Sequence, residues 1–215
     1  MISCINLLGG NNMNQTQDFT KGVIWKQLLF FFFPILIGSF FQQLYNTVDT
    51  IIVGQAVGTS ALAAVGSTGN LTSLIVNFYV GLSTGASVVI AQYYGAQNNK
   101  KIHQAVHTSY SLAIVSGILM MLFGLFFSYQ CLDAIGTPHD ILNDATLYMQ
   151  LYFLCMIPGA IYNIGAGILR AVGDSKRPLY YLIVCSIVNV VFDFIFVVIF
   201  HQGIAGAAIA TVIAQ

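Results

Sequence analysis

Residues 28–54 read LLFFFFPILIGSFFQQLYNTVDTIIVG. The stretch is long and apolar enough to cross a bilayer, since a spanning helix needs about 20 such residues at about 1.5 Å of rise each. Yet it carries a carboxylate, Asp49, and the nearest basic residue in the sequence is Lys26. An acid at the centre of a spanning helix costs about 2.5–3.5 kcal/mol on insertion scales, so it marks a functional position by default.

The rest of the chain supports a membrane reading. Of 215 residues, 57% are hydrophobic and only 7% charged, against about 25% charged in a soluble domain. Seven aspartates balance seven lysines and arginines, and glutamate is absent. Zero net charge excludes a nucleic-acid binder, which needs a basic stripe. Cys4, Cys131, Cys155 and Cys185 lack paired metal spacing and read as small packing residues. Residues 1–20 have no basic n-region and no long apolar run, so they read as a polar cytoplasmic leader and not a signal peptide.

From residue 21 to 215 the chain reads as an all-α polytopic membrane bundle. Spans are expected at about 26–54, 60–94, 105–130, 141–171, 178–200 and 204–215, the last incomplete. Short alternating segments are absent, which excludes a barrel. The basic residues Lys21, Lys26, Lys100, Lys101, Arg170, Lys176 and Arg177 all fall on one side of these spans. By the positive-inside rule the N-terminus is cytoplasmic, and spans 1, 3 and 5 run outward. In LRAVGDSKRPL, Arg170 suits a helix end, Gly173 a left-handed stop and Pro178 a helix start.

A second intramembrane acid, Asp193, lies on span 5 with Asn189 one turn before it. Helix rise puts Asp49 and Asp193 at one depth, roughly 10 Å below the outer boundary. Tyr148 on span 4 and Thr211 on span 6 reach the same layer. Gln42 and Asn46 share a stripe with Asp49, and Asn70, Asn77 and Asn163 add amides within spans 2 and 4. Such an oxygen-rich cluster suits a proton or a hard cation such as Na⁺. Pro34 removes a helix hydrogen bond and is expected to kink span 1. Gly81 and Gly85 have helix-packing spacing. His103 and His107 have metal-like spacing but no evident third ligand, so no metal site is expected.

Three stretches together, QQLYNTVDTIIVGQAVGTSALAAVG, AQYYGAQNNKK and ILRAVGDSKRPL, resemble the first half of the multidrug and toxic compound extrusion (MATE) family. The resemblance implies one of two six-helix bundles facing each other across a cleft, here an N-terminal lobe whose sixth helix is cut short. It implies export of organic, often cationic compounds in exchange for H⁺ or Na⁺, with no other cofactor and no enzyme activity. Pro34 and Asp49 match a family pair fifteen residues apart on helix 1, and Asn189 and Asp193 match an Asn-xxx-Asp pair on helix 5. Tyr148 and Thr211 resemble the tyrosine and threonine that complete the family's cation site, and Gln42 would line its cavity. The implied partners are a small organic substrate, membrane lipid and a missing C-terminal bundle, and the implied location is the inner (plasma) membrane.

Two rivals share some features. A lipid-linked oligosaccharide flippase would place cations inside the spans to meet phosphates, and none lies away from the span ends. An intramembrane aspartyl protease could use two acids sharing a proton, but the contexts here are TVD and VFD. A purely structural membrane subunit would tolerate Asn at both acids. The orientation itself is directly testable. In a background with the native cysteines replaced by serine, Lys100→Cys should react with an impermeant maleimide only after cells are opened. Asp133→Cys should react in intact cells, and the opposite pattern would invert the topology.

Overall fold

The structure is a computed structural model that describes residues 23–56 and 58–214; the leader expected at 1–20 lies outside them. Seven α-helices follow one another among the described residues. They are α1 (Ile24–Ala56), α2 (Thr59–Gly95), α3 (Asn99–Ala134), α4 (His139–Leu154), α5 (Met156–Ala171), α6 (Lys176–Asp193) and α7 (Gly203–Ala214). A π-helical segment, Phe194–Ile199, continues α6. Four spans are long and apolar enough to cross a membrane alone, and α4 with α5 makes a fifth. Helices are the form such a chain must take, because hydrocarbon offers no partner to an exposed N–H or C=O.

The turns follow from local chemistry. Gly173 takes the left-handed conformation, φ +87°, and ends α5 with Gly173 N–H donating to the Arg170 carbonyl and Asp174 N–H to that of Leu169. Asp174 then starts α6. Its Oδ1 accepts from the N–H groups of Lys176 and Arg177 at 3.1 and 3.2 Å, and its Oδ2 pairs with Arg177 Nε at 3.0 Å. Asn98 does the same for α3, accepting from Lys101 N–H at 3.2 Å.

α1 continues as a single helix through Pro34. Among the described residues, a break between helices bent by more than 40° falls in the fourth span, where α4 and α5 meet at 50° around Cys155. The local cause is Pro158, which has no N–H to offer the Leu154 carbonyl and sits comfortably in the first turn of a restarted helix.

α1 packs chiefly on α6, α2 and α3 grip α4 and α5, and α7 closes against α6 and α4. With no water to expel between helices in lipid, close backbone approach and hydrogen bonds hold them together. The α2–α5 seam shows both. Ser83 Oγ donates to the Asn163 carbonyl at 2.6 Å, and Ser87 Oγ donates to the Ser83 carbonyl at 2.7 Å. Gly167 lies against both hydroxyls, where any Cβ would collide with them. Gly124 of α3 similarly leaves room for the Phe153 ring of α4.

Overpacking of this kind costs about 1–3 kcal/mol. Gly167→Ala should therefore destabilise the bundle by about that much in denaturant titrations in mixed micelles. Ser83→Ala removes the clashing hydroxyl, so the double variant should recover part of the loss, a coupling that a double-mutant cycle reads directly. Strict additivity would mean the two residues do not share this contact.

Candidate cation site and cleft wall

The α1–α6 packing brings Asp49 against Asp193. Asp193 is fully buried, at 0% exposure, and the two carboxyls are close enough to share a hydrogen bond when one holds a proton. As carboxylates they leave three buried oxygens without a hydrogen-bond donor. Asp49 Oδ1 and both Asp193 oxygens are buried with no donor in reach, and so is Asn189 Oδ1. Asn189 Nδ2 faces Thr211 Oγ1 of α7 at 3.4 Å. The Thr211 hydroxyl proton goes to the Ala207 carbonyl at 3.1 Å, leaving the oxygen's lone pairs towards Asn189.

Tyr148 of α4 is buried and lies within electrostatic reach of both carboxyls. The helices thus gather Asp49, Asn189, Asp193, Thr211 and Tyr148, contributed by α1, α4, α6 and α7. Tyr45 joins them, also in reach of both acids; it lies one turn before Asp49, so stripe counting could have found it. Local backbone is irregular here too. The π-helical segment begins at the residue after Asp193, with Phe200 N–H donating to the Ile195 carbonyl at 2.9 Å. Such widened turns concentrate at functional sites, and no sequence pattern announces this one.

The remaining amides separate into two kinds. Gln42 and Asn46 are exposed on α1, with Ser39 and Thr50 on the same stripe. Asn70 and Asn77 are exposed on α2, in a stripe with Gly66, Ser73, Gly81 and Thr84. Both stripes are polar and uncharged. Asn163 is different. It is half-buried on α5, and its Nδ2 donates to the Gly159 carbonyl of its own helix at 2.8 Å. His103 and His107 lie on α3, and no group of three or more His, Cys, Asp or Glu forms among the described residues.

Comparison with known proteins fits this geometry. The family model described as MatE matches residues 34–195. A Bacillus subtilis (strain 168) relative named "Probable multidrug resistance protein YoeA" is 31% identical over 202 residues, covering 92% of this chain and 44% of the relative. A solved structure titled as the outward-facing conformation of a multidrug resistance MATE family transporter of the MOP superfamily superposes with TM-score 0.82 at 28% identity, over 88% of this chain and 42% of that one. A Pyrococcus furiosus MOP superfamily transporter, whose title reports reversed polarity of its binding pocket and suggests a different function, superposes with TM-score 0.83 at 28% identity over the same shares. The chain thus spans less than half the length of these relatives. By the MatE match over most of its length, this membrane-spanning helical chain belongs to the multidrug and toxic compound extrusion (MATE) family.

Proposed function

We propose that this bundle holds the coupling-ion site of a transporter that exports organic, cationic drugs in exchange for H⁺ or Na⁺. It works with a second bundle across a cleft, in the plasma membrane, with its N-terminus in the cytoplasm. One observation carries the reading: four buried acceptors, Asp49 Oδ1, Asp193 Oδ1 and Oδ2 and Asn189 Oδ1, meet without a donor. Two bare carboxylates side by side in a low-dielectric interior repel each other and lack solvation. A proton held between them, or a hard cation among these oxygens with Thr211 and Tyr148, relieves both penalties.

Ion exchange follows from that competition. Protonation and cation binding fill the same space with different charge and size, so each favours its own packing of α1 against α6. α1 also carries Gln42 and Asn46 on the exposed stripe. A shift of α1 therefore alters the wall that substrate touches, which couples ion occupancy to the cleft. The wall bears amides and hydroxyls and no cationic side chain, a surface that can accept hydrogen bonds from organic cations and supplies no positive charge to pair with a pyrophosphate. That disfavours the flippase reading.

In proteoliposomes of the full transporter containing this bundle, Asp49→Asn and Asp193→Asn should each abolish efflux driven by an H⁺ or Na⁺ gradient. Equilibrium binding of a fluorescent cationic dye should survive. Normal gradient-driven efflux in both variants would reduce the pair to a structural plug. Gln42→Ala and Asn77→Ala should do the reverse, each weakening dye binding by about fivefold, the equivalent of one ordinary hydrogen bond. Their effect on ion coupling should be small, which separates the wall from the ion site.

A further inference from the structure

α1 is longer than the bundle it belongs to. Its 33 residues reach about 49 Å at helical rise, against a hydrocarbon core about 30 Å thick. The contacts with α6 show at which end the excess lies. Gly38 sits against Leu179 and Leu182, and Asp49 faces Asp193, so the two helices run parallel in a constant register. Ala56, the last residue of α1, is therefore about level with the end of the π-helical segment at Ile199, and Phe32 with Lys176, where α6 begins. The residues before Phe32 extend about 12 Å further at helical rise.

Basic side chains mark the membrane boundary at that level. Lys176 and Arg177 open α6. Gly117 of α3 lies against Ile157 of α5, and Tyr110 against Gly165, an antiparallel register that brings Lys100 and Lys101 level with the 172–175 turn. The leg of α1 beyond this plane is nonetheless apolar. Trp25, Leu28, Leu29 and Phe30 are 59%, 55%, 44% and 66% exposed, and the last three, being consecutive, point to different sides of the helix. Among the described residues the main partner of α1 is α6, which starts only at the level of Phe32. α2 meets α1 at the opposite end, where Leu62 packs on Gly54.

An exposed apolar patch of this kind marks an interaction surface. Held straight, the leg would carry its rings past a headgroup layer about 6 Å deep and into water. Trp25 and Lys26 at its tip, with Lys26 Nζ 5.7 Å from the Trp25 ring centroid, are residue types that anchor a chain at headgroup level. Pro34 joins the leg to the rest of α1 and has no N–H for the Phe30 carbonyl, so the helix is one hydrogen bond short where the chain would turn.

We propose that residues 24–33 lie along the bilayer surface on the side of Lys100, Lys101, Lys176 and Arg177, with their Trp, Leu and Phe side chains in the boundary between headgroups and acyl chains. The proposal needs only the membrane-spanning bundle, and it stands whether or not the ion-exchange reading does.

Trp25 is the single tryptophan of the chain, so it reports on its own position without substitution. With the 215-residue chain in phosphatidylcholine nanodiscs, its emission should be blue-shifted from that of tryptophan in water. Lipid brominated near the headgroup end of its acyl chains should quench it more than lipid brominated near the chain ends, and aqueous iodide should quench it weakly. The double variant Leu29→Ser, Phe30→Ser removes apolar area outside the bundle, so its emission should shift red and its iodide quenching should rise. Strong iodide quenching of the unaltered chain without bromine quenching would mean that the leg projects into water. Stronger quenching by the deep bromines would mean that it is sunk in the core, and protection from both quenchers would mean that protein covers it. Each of these three results would overturn the proposal.

Discussion

A fully buried carboxyl, Asp193, set beside the half-buried Asp49 inside a membrane bundle is an arrangement that a proton or a positive charge would stabilise. Asp193 is inaccessible, its oxygens have no donor, and among the described residues no basic side chain forms a salt bridge with either acid. Water, which would normally solvate such groups, is replaced by helices and hydrocarbon. On the ion-exchange reading proposed above, filling the site would bear on how α1 and α6 pack, because those two helices carry the two acids and lie against each other.

The surrounding packing makes that dependence mechanically meaningful. Helices in lipid gain little from excluding water, so their positions rest on close contact and a few hydrogen bonds. The α2–α5 seam is of this kind, with Ser83 reaching the backbone of Asn163 and Gly167 leaving space for the hydroxyls. It anchors the α2 to α5 block. α1, by contrast, is held mainly by α6 and shows a long exposed face. A change between Asp49 and Asp193 thus falls on the helix with the fewest other restraints.

The outer surface is divided by chemistry. The amide and hydroxyl stripes of α1 and α2 are both exposed, and hydrocarbon is a poor neighbour for them. The Phe- and Leu-rich face of α3 suits acyl chains. Phe123 and Phe127 stack there at 5.2 Å between ring centroids. The α3 face is therefore suited to lipid in a way that the polar stripes of α1 and α2 are not.

Much of this was legible from sequence. Span number and rough limits follow from apolar run length, which is a local property set by bilayer thickness. The two lone acids stand out for the same reason, and Gly173 announces its helix stop because few residues tolerate positive φ. Helix rise places Asp49 and Asp193 at one depth, but depth does not say that they face each other. That depends on how each helix is rotated about its axis, which the summed packing of many side chains decides. The same is true of Asn163, which could equally have faced a cavity and instead bonds to its own helix. The widened turn after Asp193 likewise has no signal in the local sequence. Sequence alone determined the membrane, the spans and the acids; only tertiary packing decided which oxygens meet, because rotation and contact are collective and run length is not.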